Sequence, residues 1–254
     1  MIQAITFDLW NTLIREAPEA GQKLKEARIR GLYMYLQGQG YPGSVEEVGA
    51  AYEQVGEHLE KIWARNLDAG SEEQVQILLK ALDDGWQLPR DQMVLANLEW
   101  AYVYPALQAL PVLIQGAGEV LTGLKERFQL GLICNTGRIP GAMLKIILQR
   151  LGILEYFDVL TFSDAVGIRK PDPHIFHLTL ERLEVPPDRA LHVGDNPATD
   201  ILGARRAGMW AVLLGSPEVS IANDTKMRAI EAIEEFPRIL DQVVGEGSNE
   251  GGHG

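Results

Sequence analysis

The segment Ala4-Ile5-Thr6-Phe7-Asp8-Leu9-Trp10-Asn11-Thr12-Leu13 decides how the chain is read. Ala4 to Phe7 is a short run of strand formers that ends abruptly at an acid, and the turn Leu9 to Thr12 puts a hydroxyl close behind that carboxylate. The design recurs downstream. Leu130–Ile133 runs into Cys134 and Asn135, Val159–Phe162 into Ser163 and Asp164, Leu191–Val193 into Gly194 and Asp195, and Ala211–Leu214 into Gly215. Short apolar strands of this kind form a parallel sheet buried on both faces. Helical patterns separate the later runs, at Gly118–Arg127, Ile139–Leu151, Pro173–Leu183 and Thr199–Ala207. The alternation predicts an α/β fold with a doubly wound parallel sheet. Ligands of such sheets bind at the carboxyl ends of the strands, where these polar residues fall.

Residues 15–108 have a different texture, with long amphipathic patterns and no convincing strand. Ser44 with Glu47 and Ser71 with Gln74 have capping-box spacing, and Pro89 with Asp91 opens a further helix. The expected organisation is therefore an α/β core from residues 1–14 and 109–240, a helical insert over 15–108, and a disordered Gly-rich tail over 241–254.

Composition narrows the function classes. The chain has 254 residues, 46% of them apolar, enough for one core with a smaller insert. Its 23 Lys and Arg face 35 Asp and Glu, for a formal charge of −12. A surface that acidic repels nucleic-acid phosphates and anionic lipid, so neither nucleic acid nor membrane is an expected partner. The single cysteine, Cys134, excludes an intrachain disulfide. With no basic region and apolar run at the start, it points to a cytoplasmic protein.

Three further pieces carry the chemistry. Gly167-Ile168-Arg169-Lys170-Pro171-Asp172-Pro173 presents a lysine in a proline-stiffened loop. Gly194-Asp195-Asn196-Pro197-Ala198-Thr199-Asp200 sets two acids around a helix start. Taken singly, Lys170 reads as a solvated loop residue, Asp195 and Asp200 as helix caps, and Asp8 as a turn former. Brought together, the three acids would repel one another unless a cation sat among them.

In this order, on successive strand ends, the pieces resemble the motifs of the haloacid dehalogenase superfamily over Ile5 to Leu214, and the insert resembles that family's type 1 cap. The resemblance implies a hydrolase acting on a small phosphorylated metabolite with Mg²⁺ as cofactor. Asp8 is then the nucleophile, passing through an aspartyl intermediate. Lys170 neutralises Asp8 and the transferring group, and Thr12 braces the first loop. Asp8, Asp195, Asp200 and the backbone carbonyl of Trp10 hold the metal. Cys134, Asn135 and Thr136 stand where the family cradles phosphate. No oligomeric state follows.

Two positions depart from the family pattern. Most of its phosphatases carry an acid-base Asp where this chain has Trp10, and general acid-base help is typically worth about 10²- to 10⁴-fold. Alkyl phosphates should then turn over poorly, and acyl or aryl phosphates should suffer less. The family's 2-haloacid dehalogenases carry an aromatic residue there but do not use magnesium, whereas Asp195 and Asp200 are both retained here. Cys134 replaces the usual Ser or Thr, and a thiol is a weak donor. These departures keep two alternatives open: a dehalogenase-like carbon–halogen hydrolase, and a catalytically impaired member that binds metal and anion. Among other candidates, His174 and His177 read as surface residues, His192 as a core or edge residue, and His253 as part of the tail. Trp63, Trp86, Trp100, Tyr102 and Tyr104 read as packing of the insert, and Arg15, Arg28 and Arg30 as candidates for meeting a substrate carboxylate or phosphate that, on amphipathic helices, more commonly face water.

Overall fold

The computed structural model describes residues 1–82, 91–215 and 224–249. Pro89, Trp86, His253 and the tail residues 250–254 lie outside them. β1 (Ala4–Phe7) passes through a tight loop into β2 (Ile14–Arg15), then α1 (Ala20–Gly38), α2 (Val45–Trp63), α3 (Ser71–Ala81) and α4 (Gln92–Val103). β3 (Val112–Leu113) pairs antiparallel with β2, so the four helices hang from a two-stranded stem. The chain continues through α5 (Ala117–Lys125), β4 (Gln129–Cys134), α6 (Gly141–Arg150), β5 (Val159–Phe162), α7 (Ser163–Val166) and α8 (Pro173–Leu183). It closes with β6 (Ala190–Gly194), α9 (Leu202–Arg206), β7 (Trp210–Leu214), β8 (Met227–Ile230) and α10 (Phe236–Asn249).

Among the described residues the main sheet has six parallel strands in the order β5-β4-β1-β6-β7-β8. Its alternating side chains separate two cores. Leu191, Val193, Val212 and Leu214 join the cluster that includes Phe7, Phe236 and the insert's apolar residues. Ala190, Ala211 and Leu213 face the opposite way, onto Ile175, Phe176 and Ala204 of α8 and α9. That two-residue period is the pleat of a strand buried on both faces. It leaves β1 in the middle of the sheet, with Asp8 at its carboxyl end.

Several local expectations need correction. β8 escapes a search for apolar runs because Arg228 interrupts it and it lies at the sheet edge. The short strands β2 and β3 are likewise hidden in the linkers. Ser44 forms the expected capping box, its Oγ accepting from the Glu47 amide at 3.3 Å. At α3, Gly70 takes the cap position instead, and the Gln74 amide donates to the Ala69 and Gly137 carbonyls. Asp91 caps α4 by accepting from the Val94 amide at 2.9 Å. Trp100 and Tyr104 are exposed, stacked at 5.1 Å, rather than packed inside. Finally, α10 runs helically through residues 241–249, where disorder is expected. Its anchors Phe236, Ile239, Leu240 and Val243 are buried at helical spacing and hold the helix on the core.

Phe236 meets Phe7 edge-on at 5.9 Å and is fully buried. Phe236→Ala is expected to cost about 3–5 kcal/mol in urea unfolding. A loss well under 1 kcal/mol would mean that α10 is not docked on β1.

Candidate active site

The loop after β1 is built to hold one carboxylate still. Leu9 and Leu13 are fully buried, and Asn11 takes the left-handed conformation (φ 59°) that Asn tolerates better than most residues. The turn carries Thr12 back under Asp8, and its Oγ1 donates to Asp8 Oδ2 at 3.2 Å. Asp8 itself is only 7% exposed.

Lys170, delivered by the loop before α8, is buried beside it. Its Nζ donates to Asp8 Oδ1 at 2.5 Å and to the Ile133 carbonyl at 2.7 Å, and it pairs with Asp200 Oδ1 at 2.7 Å. Asn135 fixes the lysine's backbone in both directions. It accepts from the Lys170 amide at 2.9 Å and donates to the Lys170 carbonyl at 3.1 Å.

Asp200 enters from the turn after β6. Asn196 caps that turn by accepting from the Ala198 and Thr199 amides, and Pro197–Ile201 forms a single π-helical turn, a device frequent at functional sites. The turn swings Asp200 back so that its Oδ2 accepts from the Asn196 amide at 3.0 Å. Gly194 makes room for it, because a Cβ there would lie 2.4 Å from Asp200 Cγ. His192, on β6 beneath, hydrogen-bonds Thr6 Oγ1 through Nδ1 at 2.8 Å and sets Nε2 3.5 Å from Asp200 Oδ1. Burial lowers the His192 pKa, so the ring stays neutral.

Asp8, Asp195 and Asp200 bring carboxylate oxygens within 4.8 Å of one another. Among the described residues only Lys170 sets a fixed positive charge against the three acids. Burial, with repulsion from Asp200 and Asp195, pushes Asp8 up to about 7 despite Lys170. Burial and Asp200 also raise Asp195, whereas Lys170 and His192 hold Asp200 below the usual carboxylate range against its own burial. An all-oxygen donor set carrying surplus negative charge fits a hard divalent cation.

The remaining predicted residues divide. Trp10, Asn135 and Thr136 line a cavity of about 340 Å³ between α1, α2 and the loop after β4. The Thr136 hydroxyl is drawn aside, 3.5 Å from Asp68 Oδ2 and 3.3 Å from Ser163 Oγ. Cys134 is fully buried, and burial and Asp8 push its thiol well up, which leaves no thiolate for nucleophilic work.

Residues that no motif marks complete the surroundings. Asp68, in the loop between α2 and α3, accepts from Ser163 Oγ at 2.5 Å and from Trp63 Nε1 at 2.9 Å, and it pairs with Arg169 at 3.6 Å. Its amide donates to the Gly167 carbonyl, and the Arg169 amide donates to the Asn66 carbonyl. The insert is thus stitched to the loop carrying Lys170. Arg28, expected to face water, is buried against the cavity. The signal for Asp68 and Arg28 lay in polar residues on otherwise apolar faces, which become informative only after folding.

This fold and site define a class. The profile described as haloacid dehalogenase-like hydrolase matches residues 2–208, and the chain belongs to that family. It is 29% identical over 234 residues to ribulose-1,5-bisphosphate 5-phosphatase of Halopiger xanaduensis, covering 90% of this chain and 91% of that one. A shorter match, 38% over 106 residues, is to haloacid dehalogenase-like hydrolase domain-containing protein 3 of Bos taurus and spans 41% of each protein. Among solved structures, a 2-haloacid dehalogenase from Pseudomonas syringae superposes with a TM-score of 0.71 at 26% identity, covering 95% of this chain and 99% of that one. A HAD phosphatase from Thermococcus onnurineus shares the fold with a TM-score of 0.59 at 24% identity, covering 94% and 98%. No described helix is long and apolar enough to cross a membrane.

Removing Lys170 leaves the buried acids unopposed, so Lys170→Ala should destabilise the metal-free protein by about 3–5 kcal/mol at pH 8. Asp8 and Asp195 titrate above their ordinary values, so their repulsion grows as pH rises through the folded pKa and fades in acid. The penalty is therefore expected to shrink at pH 5. A penalty equal at both pH values would show that the acids do not interact through this site.

Proposed function

We propose that this chain is a Mg²⁺-dependent phosphohydrolase of small phosphorylated metabolites, with the insert over residues 15–108 serving as a cap and the protein working in the cytoplasm. The observation that carries the reading is the trio Asp8, Asp195 and Asp200 around a single lysine, because two buried acids and a half-buried third with one ammonium call for a further cation. Relatives named as phosphatases of ribulose 1,5-bisphosphate and of glyceraldehyde 3-phosphate support the phosphorylated class of substrate.

In this proposal Asp8, Asp195, Asp200 and the Trp10 carbonyl hold the ion, which when bound neutralises charge on Asp8 and on the phosphoryl oxygens. Asp8 attacks phosphorus, so an oxygen–phosphorus bond forms to the carboxylate as the bond to the leaving oxygen breaks. Lys170 stays protonated, its pKa raised by Asp200 and Asp8 against burial, and opposes charge that builds in the transition state. Thr12 keeps Asp8 oriented. Asn135 acts first on Lys170, whose backbone it clamps, and only through its place on the cavity wall on the substrate. Water then cleaves the aspartyl phosphate and restores Asp8.

Trp10 has no proton to exchange with the leaving group. Acetyl phosphate and para-nitrophenyl phosphate should therefore release phosphate with Mg²⁺ and not with EDTA, and Asp8→Asn should abolish the release without unfolding the chain. Retained turnover in that variant would falsify the nucleophile assignment. The likeness to a 2-haloacid dehalogenase structure, together with Trp10, favours one second reading, carbon–halogen hydrolysis. Chloride release from 2-chloropropionate in EDTA would establish it instead, and metal binding without any turnover would mark a non-catalytic member.

The role of position 10 can be tested by restoring an acid. Trp10→Asp is expected to raise turnover of an alkyl phosphate by about 10²-fold and to change acetyl phosphate much less. An equal effect on both would mean that Trp10 acts by shape alone.

A further inference from the structure

The wall between the insert and the core holds two guanidinium groups that form no ion pair with a carboxylate among the described residues. Arg28, on α1, is 4% exposed, and every described partner is neutral: the Tyr102 carbonyl at 3.1 Å, the Tyr52 hydroxyl at 3.4 Å and the Arg138 carbonyl at 2.8 Å. Arg138, on the loop after β4, lies 4.0 Å over the Tyr52 ring and donates Nη2 to the Tyr52 carbonyl at 3.2 Å. Its Nη1 is buried with no hydrogen-bond partner. Gly56 on α2 creates the space for it, since a Cβ there would lie 2.3 Å from Arg138 Nη2.

Carbonyls and tyrosine rings, with Arg28 also 5.4 Å over Tyr102, compensate these cations in part, and an anion would complete the compensation. Scarcity of acids does not explain the lack, because 35 acidic residues outnumber 23 basic ones in this chain. Both arginines line the cavity shared with Trp10, Asn135 and Thr136. Lys25 adds a third cation to the lining, paired with Glu53 at 2.5 Å, and the only carboxylate there is the exposed Glu16. Trp10 stands two residues after Asp8 and Asn135 clamps the Lys170 backbone, so the two arginines share a cavity with the immediate neighbours of the nucleophile and its lysine.

We infer that Arg28 and Arg138 form the subsite for a second anionic group on the substrate, a carboxylate, so that the substrate class is a small phosphorylated acid. This rests on the phosphohydrolase reading and deepens it. A carboxylate matches the flat guanidinium fork. The cavity of about 340 Å³ is at the small end of ligand pockets and has room for a short-chain acid.

Calorimetry on the Asp8→Asn protein with Mg²⁺ tests the subsite without turnover. The probes are 3-phosphoglycerate, glycerol 3-phosphate and a propanediol bisphosphate. The acid is expected to bind at least about 10-fold more tightly than the neutral glycerol ester, in keeping with a charge-assisted contact. That ratio should fall to within about 3-fold when Arg138→Gln is added. Gly56→Ala provides a second variant, which favours the helix while displacing the guanidinium, and it should lower the ratio as well. Thermal melting checks that each variant folds, and Gly56→Ala decides if Arg138→Gln does not. Equal affinity for acid and neutral ester, or a ratio that survives both variants, overturns the subsite. Tighter binding of the bisphosphate than of the acid overturns the carboxylate assignment. Phosphate release by the unmutated protein is scored separately: a preserved binding preference with no hydrolysis of any probe overturns the phosphohydrolase reading alone.

Discussion

One ammonium group, Lys170 Nζ, holds the carboxyl end of the sheet together. It joins Asp8 from β1, Asp200 from the turn after β6 and the Ile133 carbonyl of β4, at 2.5, 2.7 and 2.7 Å. The partners come from three adjacent strands that the sheet already holds side by side, and the lysine bridges their ends. A buried ion pair gains little by itself, because desolvation offsets much of the Coulomb attraction. Here the lysine is outnumbered, and the shortfall of positive charge is the property the site uses. The arrangement stays poised for a cation that the protein does not itself supply.

The lysine's own position depends on the insert. Asn135 clamps its backbone from the loop after β4, while Arg169, one residue earlier, is tied to Asn66 and Asp68 between α2 and α3. The next turn of the β4 loop is held by the insert as well, with Gln74 on the Gly137 carbonyl and Arg28 on the Arg138 carbonyl. Two helices of the insert, α1 and α3, and the loop between α2 and α3 therefore reach the two loops that shape the nucleophile's surroundings. Movement of the insert away from the core would have to break buried hydrogen bonds of Asp68 and Gln74, groups that are costly to leave unmet.

The parts that strand periodicity controls were legible in the sequence. β1, β4, β5 and β6 each run into a polar residue and β7 into Gly215, and their parallel stacking follows from runs apolar on both faces. Asp8, Lys170, Asp195 and Asp200 were legible because their spacing matches a family pattern, and the structure brings three of these acids and the lysine together. Asp68 and Arg138 were not, and Arg28 stood out only as one of three arginines that could meet a substrate anion or water. A lone polar residue on an amphipathic helix or loop looks the same whether it meets water or another buried group, and only the docking of α1 to α3 on the core distinguishes the two. Thr136 shows the converse: its hydroxyl suggested a phosphate contact, but Ser163 and Asp68 claim it.

Charge across the site is divided in a way that constrains any substrate. On the Asp8 side there is an excess of carboxylate that a divalent cation can reverse, and on the Arg28 and Arg138 side there are guanidiniums with neutral partners only. Trp10 and Asn135 stand along the cavity between them, and neither carries charge. A molecule with one anion would satisfy one end and leave the other uncompensated in a low-dielectric wall, where a missing partner is most costly. A molecule with anions at both ends satisfies both. Under that proposal, selectivity follows from the placing of two charges rather than from a detailed fit to the atoms between them.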